Sequence, residues 1–469
     1  MMNVPKSNFS EWYNYVLEEA EILDIRYPVK GMPVYKPWGF KIMRRCFDLL
    51  EALLNSAGHD ASYFPLLVPE EQFAKEGKHI KGFGSDVLWA THGGEQELER
   101  KLALRPTSET IMYPMFALWI RSHADLPLKV HQTVCVYRHE TKATKPLIRG
   151  REVYWNEAHT VHANAEEAEM QVGEGVHIYK RFFDSLGVPT MILKRPEYDT
   201  FPGAAYSLAF DALMPDGKTL QVGTVHNLGD NFSKAYGIQY DDAHGEKKGV
   251  YQTCYGISMR CLAIVIAVHG DDKGLMLPSS VAPVQAVLVP IFFGKKEELL
   301  KKCEELRASL EAGGVRTKID DEDVRPGEKY YYWDARGVPL HIEIGPRELD
   351  AGKVVLVSRD GRKKSVDEKD VLNEVKTMLE EQDKRLYERA SKKLQASMKS
   401  AKSIDELKGI MNKEKGFVKI GWCEEEKCAE KVEVQGAAEI RGCEYNKREA
   451  MKCVACGKEG IAVWAAKAY

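Results

Sequence analysis

The stretch Tyr137–His162, YRHETKATKPLIRGREVYWNEAHTVH, carries the most information about the fold of this chain. An apolar run over 130–137 leads into it, and a second run over 152–159 follows a basic loop that contains proline and glycine. Runs of this kind, separated by turn residues, are typical of strands. The stretch therefore predicts two antiparallel strands joined by a long loop.

Polar side chains interrupt both predicted strands. Side chains two residues apart share one face of a strand, so Arg138 and Glu140 should point the same way. The same rule groups Trp155, Glu157 and His159. An arginine fork can grip a phosphate or carboxylate, a glutamate can hold an ammonium, and an indole can wall an apolar ring. The pattern predicts a polar binding site; the alternative is an exposed hairpin with a charged solvent face.

A second anion site is predicted at Tyr255–Arg260, YGISMR, which precedes the apolar run CLAIVIAV. Residues 250–255 are typical of a strand, and the apolar run is typical of a buried helix. Gly256 at a strand-to-helix turn would let the backbone approach a ligand. Arg260 would add its charge to the positive end of the helix dipole. The alternative is a core helix with one arginine reaching the surface.

These segments resemble the three motifs of the class II aminoacyl-tRNA synthetases. Residues 39–69, read as a long helix and a strand ending at Pro65, are similar to the first motif, which builds the dimer interface in that family. Residues 138–140 (RHE) resemble the start of the second motif, and residues 256–260 resemble the third. The resemblance implies an α+β fold with an antiparallel β-sheet core flanked by helices, and a homodimer.

Within this class the chain is most similar to the prolyl branch of archaeal and eukaryotic type. The segments that carry this likeness are RPTSE at 105–109, WNEAHT at 155–160, TVHNLGDNFS at 224–233, EIGPR at 343–347 and the terminal Tyr469. The resemblance implies a proline–tRNA ligase. Such an enzyme activates L-proline with ATP to prolyl-adenylate and passes proline to the 3′ end of tRNA(Pro).

The resemblance also implies how ATP is held. Arg138 would bridge the α-phosphate and the proline carboxylate, and Arg260 would hold the γ-phosphate, with Mg²⁺ offsetting the remaining charge. Glu140 would meet the adenine amino group. The other implied contacts are Arg149 or Arg151 with phosphate, and Gln221, Thr224 and His226 on the ribose side.

The implied proline slot combines an amine acceptor with an apolar wall. Its residues are Thr107 and Glu109 for the amine, Trp155, His159 and Phe201 for the ring, and Glu157 on the same face. Such a slot excludes larger side chains but discriminates poorly against smaller ones, so alanine or cysteine should enter. About ninety residues separate His159 from Thr253, too few for an added editing domain, which predicts no editing in cis.

Two positions depart from the family pattern. Val153 takes the place of a phenylalanine that commonly stacks on adenine. Tyr255 precedes Gly256 where a tryptophan is usual. Because valine cannot stack as a phenylalanine ring does, adenine stacking should be weaker or supplied elsewhere. Neither change removes a charged group.

Three domains are predicted: residues 1–283 with the catalytic chemistry, 284–385 and 386–469. The middle region alternates strand and helix, which indicates a small mixed α/β domain, and it resembles a class IIa anticodon-binding domain. The expected contacts there are Glu343, Arg347 and Lys353 with guanine edges and Lys329 with phosphate. The alternative is a docking module that makes no RNA contact.

Two close thiol pairs mark the last predicted domain. Cys423 with Cys428 and Cys453 with Cys456 fit the ligand spacing of a tetrahedral zinc site. A segment with little other core needs such a staple. The alternative is that the cysteines merely populate a small domain, and the resemblance implies a structural Zn²⁺ in a zinc-binding α+β domain.

Composition restricts the function further. With 67 basic and 70 acidic residues the net charge is −3, so any tRNA surface must be a local patch. No apolar leader follows a basic start, and no apolar stretch is long enough to span a bilayer. A soluble cytoplasmic protein is expected, with its ten cysteines as thiols or metal ligands.

Three other functions remain open from the residues. One is another class IIa synthetase, although a threonine enzyme would need zinc ligands in its main site and the cysteine pairs lie at the C-terminal end. Another is a non-catalytic relative that binds RNA, although such relatives typically lose the second- or third-motif arginine. The third is a zinc-dependent RNA-binding protein with an inert large domain.

Overall fold

The computed structural model describes residues 4–72, 87–141 and 143–469. The helices in these ranges are Phe9–Glu19, Pro37–Ser56, Glu109–Trp119, Ala165–Ser185, Asn231–Tyr236, Arg260–His269, Lys296–Ala312, Pro326–Ala335, Pro346–Ala351, Val371–Ser397, Ile404–Lys413 and Glu426–Gly436. Short 3₁₀ turns occur at His123–Asp125, Glu197–Asp199 and Glu368–Asp370. No helix described here combines the length and apolar composition that crossing a bilayer requires.

An eleven-stranded sheet runs through the described part of the chain. In spatial order its strands are Met398–Ser400, Phe417–Trp422, Ile461–Ala466, Glu439–Glu444, Met191–Lys194, Tyr206–Leu213, Thr219–Gly229, Tyr251–Ser258, Glu152–His162, Leu128–Tyr137 and Asp60–Ala61. The central pairs are antiparallel, as the fold class predicts. Helices Pro37–Ser56, Ala165–Ser185 and Arg260–His269 pack on this sheet and on one another around a common apolar core.

The predicted hairpin is confirmed, with one correction. Leu128–Tyr137 pairs antiparallel with Glu152–His162. The first strand ends before Arg138 and Glu140, which lie in a turn where the Glu140 amide donates to the Arg138 carbonyl. The strand-face rule therefore does not apply to these two residues, although both side chains line one cavity.

The third-motif segment also differs from its prediction in one respect. The strand Tyr251–Ser258 includes Gly256, which lies opposite Glu157 in the neighbouring strand. The turn into the helix falls at Met259, and the helix begins at Arg260. Gly256 is thus an extended strand position beside the cavity and not a turn residue, while Arg260 does occupy the first helical turn.

The first-motif helix Pro37–Ser56 begins with proline at its first position, where the missing amide proton costs nothing. Its buried apolar residues recur at helical spacing: Ile42, Met43, Cys46, Phe47, Leu50 and Leu54. The strand that follows, Asp60–Ala61, is shorter than predicted and stops before Pro65.

A second sheet of five strands forms the middle region. Its order is Thr317–Ile319, Ala286–Pro290, Leu340–Ile344, Lys353–Ser358 and Lys363–Asp367. Two pairs are parallel and two antiparallel, so the predicted mixed α/β unit is confirmed. Smaller sheets pair Leu23–Asp24 with Val34–Tyr35, Gln239–Asp241 with Lys247–Gly249, and Gln96–Leu104 with both Leu67–Pro69 and Leu88–Gly93.

The C-terminal region is continuous with the catalytic sheet. Glu439–Glu444 pairs with Met191–Lys194 and thereby extends that sheet by the C-terminal strands. Helix Val371–Ser397 runs unbroken through residue 385, the predicted limit of the middle domain. Its first turns pack into the middle core and Leu394 packs against C-terminal residues, so this limit is not a break in structure. The limit near residue 283 stays a prediction.

Candidate active site

One cavity of about 520 Å³ opens over three adjacent strands, Glu152–His162, Tyr251–Ser258 and Thr219–Gly229. The predicted site residues that line it are Thr107, Glu109, Arg138, Glu140, Arg149, Trp155, Glu157, His159, Phe201, Gln221, Thr224, His226 and Arg260. The strand order brings together residues that are far apart in the sequence. Their individual roles stay predictions.

Glu157 is held by three neighbours and is almost fully buried. The Ser108 hydroxyl donates to its Oε1, and the Gln132 amide donates to the same oxygen at 2.8 Å. The His159 imidazole contacts its Oε2 at 3.2 Å. These contacts fix the carboxylate in one orientation. Gln132 was not predicted, and its signal is the strand register that sets it opposite Glu157.

A second buried carboxyl group, that of Glu109, lies in the same part of the cavity. The Thr107 hydroxyl donates to its Oε2, and the Cys254 thiol lies 4.0 Å from its Oε1. Burial raises the pKa of Glu109, and the charge of Glu157 raises it further, although His159 opposes both. Two carboxyl groups so close together suit a ligand group that brings positive charge, such as an amine.

The pKa of His159 depends on the same two carboxyl groups. Burial disfavours its charged form, but the Glu157 hydrogen bond and the Glu109 charge raise its pKa overall. The Tyr113 hydroxyl contacts its Nδ1 at 3.0 Å. His226 behaves in the opposite way, because burial and the charge of His159 lower its pKa to about 3.

Three arginines converge on another part of the cavity. Arg260 donates from Nε to the Ile148 carbonyl at 2.8 Å and from Nη1 to the Gln221 carbonyl at 3.0 Å. Burial, together with the charges of Arg138 and Arg149, lowers the pKa of Arg260 to about 10. The guanidinium stays charged at neutral pH. Because these cations repel one another, their arrangement favours a bound polyanion.

Arg138 lies between the basic and acidic parts of the site. Its Nε donates to the Pro106 carbonyl at 3.1 Å, and its guanidinium lies 5.8 Å from the centre of the Trp155 ring. The Trp155 Nε1 is buried and has no hydrogen-bond partner in the described part of the chain. A buried donor without a partner is costly, so this indole marks a position for a ligand acceptor.

The loop before the second strand places its two arginines differently. Arg149 lines the cavity and pairs with Glu140 at 3.8 Å. Arg151 is not among the lining residues; its Nε donates to the Glu140 carbonyl at 3.2 Å and its amide to the Gly31 carbonyl. The Nε of Arg151 thus helps to hold the loop, and its role as a phosphate contact stays a prediction.

The expected ribose-side residues share strand Thr219–Gly229. A register shift against the neighbouring strand brings Gln221 to the cavity as well as Thr224, although they are three positions apart and would otherwise face opposite sides. His226 accepts or donates a 2.7 Å hydrogen bond with the Ser207 hydroxyl. Val153 also lines the cavity, at the position where the family pattern places a stacking ring.

A buried ion network holds the Gln221 side chain. It consists of Arg195, Asp211 and Arg441, which were not predicted from the sequence. Arg195 donates to Asp211 at 2.7 Å and to the Gln221 side chain at 2.8 Å. Arg441, from the C-terminal region, donates to the same carboxylate at 2.8 Å. Burial disfavours the charged carboxylate, but the two arginines lower the pKa of Asp211 to about 2. The network ties the C-terminal region to the floor of the site.

A wider cleft of about 1040 Å³ lies beside this cavity and shares with it Arg195, Tyr198, Thr200, Phe201 and Pro202. Its lining mixes acidic and basic side chains from the catalytic and C-terminal regions. We assign the chemistry to the smaller cavity, because the convergent arginines and the buried carboxyl groups line that one.

The four cysteines predicted to bind zinc come together. One sulfur atom from each of Cys423, Cys428, Cys453 and Cys456 lies within 4.8 Å of the others. The Sγ atoms of Cys423 and Cys456 are 3.7 Å apart. Tetrahedral zinc with bonds of about 2.3 Å requires sulfur atoms roughly 3.8 Å apart. The cluster therefore fits Zn²⁺, and none of its four cysteines lines the cavity; a structural role for the ion stays a prediction.

Removing one of these ligands should lower both zinc content and stability. Replacing the exposed Cys456 with serine is expected to remove about one zinc per chain and to lower Tm by roughly 5–10 °C, because metal binding contributes to folding. Zinc analysis and thermal unfolding measure both effects. Cys443→Ser, outside the cluster, is the matched control. Full zinc retention in the Cys456 variant would contradict the site.

The middle region places its expected RNA contacts unequally. Arg347 and Lys353 are exposed and Glu343 is half-buried, on or next to two strands of the five-stranded sheet. Lys329 is 2 % exposed and donates to the Asp320 carbonyl at 2.7 Å. The predicted phosphate contact of Lys329 is therefore corrected, because its ammonium group is used inside the fold.

Three family models match consecutive parts of the chain. They describe the class II core domain of the tRNA synthetases for G, H, P, S and T at residues 92–269, an anticodon-binding domain at 285–378 and a prolyl-tRNA synthetase C-terminal domain at 404–469. Together with the antiparallel sheet and the arginine-lined cavity, they define a class II aminoacyl-tRNA synthetase.

Full-length relatives narrow the assignment. The proline–tRNA ligases of Methanoculleus marisnigri and Methanothermobacter thermautotrophicus are each 49% identical, over 99% and 97% of this chain and 98% and 94% of theirs. A solved Giardia lamblia prolyl-tRNA synthetase in complex with prolyl-adenylate is 37% identical, with a TM-score of 0.96 and full coverage of both chains. A Cryptosporidium parvum prolyl-tRNA synthetase complexed with halofuginone and AMPPNP is 32% identical with a TM-score of 0.93, covering 100% of this chain and 97% of that one. The chain belongs to the prolyl-tRNA synthetase family.

Proposed function

We propose that this chain activates L-proline with ATP and transfers it to the 3′ end of tRNA(Pro). The observation that carries the proposal is the single cavity in which three arginines lie beside two buried carboxyl groups. The basic part suits a triphosphate and the acidic part suits an amine. The cavity can therefore bind the phosphates of ATP in its basic part and the amine of an amino acid in its acidic part.

Activation requires positioning more than covalent catalysis. A carboxylate oxygen of proline attacks the α-phosphorus in line, the bond to the β-phosphate oxygen breaks and pyrophosphate leaves. Arg138 bridges the α-phosphate and the proline carboxylate, while Arg260 and Arg149 hold the other phosphates. Mg²⁺ bound together with ATP would neutralise part of the phosphate charge. The terminal ribose hydroxyl of tRNA then attacks the carbonyl, and AMP leaves.

Glu109 and Thr107 receive the proline amine. Thr107 already donates to Glu109, which orients the carboxyl group. Glu157 is fixed by Ser108 and Gln132 and completes the acidic face. The ring lies against Trp155, His159 and Phe201, all of which line the cavity.

The exchange of pyrophosphate into ATP, driven by each amino acid in turn, tests this function. We expect strong exchange with proline and weak exchange with alanine or cysteine, because an apolar slot rejects a smaller side chain by only about 1–3 kcal/mol per missing methylene. Strong exchange with another amino acid, or none with proline, would contradict the proposal.

Because the proline slot discriminates poorly against alanine, we expect the protein to form Ala-tRNA(Pro) and not to hydrolyse it. Between the second and third motifs the chain forms helix Ala165–Ser185 and strands of the catalytic fold, with no separate domain in this described segment. Ala-tRNA(Pro) incubated with the protein should therefore be released no faster than in buffer. Measured release by this protein would overturn the absence of editing in cis.

Recognition of tRNA(Pro) is expected to depend on Arg347, an exposed fork suited to a guanine edge. Arg347→Ala should raise KM for tRNA by roughly tenfold, about 1–3 kcal/mol, and leave proline-dependent exchange unchanged. Arg362→Ala, also exposed but at the other end of strand Lys353–Ser358, is the control. Equal effects of the two substitutions would exclude a specific contact.

A second copy of the chain is the proposed partner at the first motif. Exposed apolar residues gather in the segment before and within helix Pro37–Ser56: Ile25, Tyr27, Val29, Val34 and Phe40. An exposed apolar patch of this kind would be buried if two copies associated, and it therefore supports a homodimer. We place the protein in the cytoplasm, where tRNA charging supplies translation.

A further inference from the structure

A group of metal-binding side chains lies inside the cavity itself. One ligand atom from each of Glu109, His159 and Cys254 falls within 4.8 Å of the other two, and all three residues are buried. Amino acid activation as described above gives no role to the Cys254 thiol. The cluster arises because the third-motif strand pairs directly with the second-motif strand, so that Cys254 lies opposite His159.

Each of two ligands is already oriented by a neighbour, as protein metal ligands usually are. The Tyr113 hydroxyl contacts His159 Nδ1 at 3.0 Å, so Nε2, which contacts Glu157 Oε2 at 3.2 Å, is the nitrogen that would turn to the metal. The Thr107 hydroxyl holds Oε2 of Glu109, and Oε1 is the oxygen that lies 4.0 Å from the Cys254 sulfur. A carboxylate, an imidazole and a thiol are the ligand types of zinc, and three protein ligands leave a fourth position open.

We propose that a thiophilic divalent cation, represented by Zn²⁺, binds to Glu109, His159 and Cys254 and excludes proline. Binding releases the thiol proton, and any proton on the imidazole, to solvent, and it places a doubly charged ion between buried carboxyl groups. The ion occupies the amine acceptor and the ring wall, so the metal and the amino acid cannot bind together. This competition rests on the proposed function, whereas the metal site itself does not.

Zinc stoichiometry tests the site directly. Full-length protein with its four-cysteine cluster loaded is dialysed against buffered free Zn²⁺ in the micromolar range. We expect two zinc ions per chain, one of which is displaced by saturating proline. Cys254→Ser, close in size to the natural side chain but with a poor zinc ligand, should hold one. The matched control Cys135→Ser, a thiol outside both clusters, should hold two. One zinc per chain in the unmodified protein, or a second zinc that proline does not displace, would overturn the proposal.

Kinetics separate failure of this site from failure of the proposed function. Free Zn²⁺ should raise the apparent KM for proline in ATP–pyrophosphate exchange without lowering kcat. For Cys254→Ser, inhibition by Zn²⁺ is measured against that variant's own uninhibited rate. Its inhibition constant should be at least tenfold higher than that of the unmodified protein. Added Mg²⁺, which prefers oxygen ligands, should not compete. Proline-dependent exchange that zinc leaves unchanged would overturn the metal site and leave the synthetase function intact.

Discussion

Replacing Arg260 with alanine is expected to lower proline-dependent ATP–pyrophosphate exchange by about 100- to 1000-fold or more, the usual effect of removing one preorganised charge from a developing anion. Arg138→Ala should act at least as strongly, because that side chain is placed to contact both ATP and proline. Both arginines line the cavity, and Arg260 is held by the Ile148 and Gln221 carbonyls, so its geometry is fixed before substrate arrives.

The matched control is Arg181→Ala, an exposed arginine on helix Ala165–Ser185. It should keep exchange within about twofold and keep Tm, since surface substitutions away from such features usually change stability by less than about 0.5 kcal/mol. Thermal unfolding of all three variants separates lost chemistry from lost folding. Near-normal exchange by a folded Arg260 or Arg138 variant would contradict the assigned phosphate contacts.

The largest effect on stability is expected from Asp211→Asn. This carboxylate is fully buried between Arg195 and Arg441, at 2.7 and 2.8 Å. Removing its charge leaves the two buried guanidinium groups with only half-exposed partners, Asp199 at 3.5 Å and Glu439 at 3.1 Å, which costs about 3–5 kcal/mol. Chemical denaturation measures the free energy of unfolding. Asp48→Asn, which breaks an exposed pair with Arg44, should cost less than about 1 kcal/mol.

The same carboxylate predicts the direction of acid sensitivity. The folded pKa of Asp211, about 2, lies below its ordinary value of 3.8. Its contribution to stability is therefore complete above pH 4 and is lost as the pH falls toward 2. The Asp211→Asn variant should lack this part of the acid dependence. An unchanged acid limb in the variant would show that other groups control it.

The sequence predicted those parts of the site that a local pattern specifies. Arg260 follows an extended strand and begins an apolar helix, and both features can be read from residues close to it. The four cysteines could be paired by spacing alone. By contrast, Arg149 and Arg151 are equivalent in the sequence, and only the path of their loop decides which one reaches the cavity.

Residues that act through tertiary packing could not be predicted. Gln132 and Cys254 lie in apolar strands and resemble core residues until the register sets them beside Glu157 and Glu109. Asp211 is held by Arg441, which is far along the chain. Lys329 failed as a phosphate contact for the same reason, because its burial depends on the fold of the middle region.

The pairing of Glu439–Glu444 with Met191–Lys194 also has a consequence for solubility. It covers the edge strand of the catalytic sheet. A chain truncated before this pair would expose a row of unsatisfied backbone donors and acceptors, a template for association with other sheets. The C-terminal strands thus protect this sheet edge against aggregation.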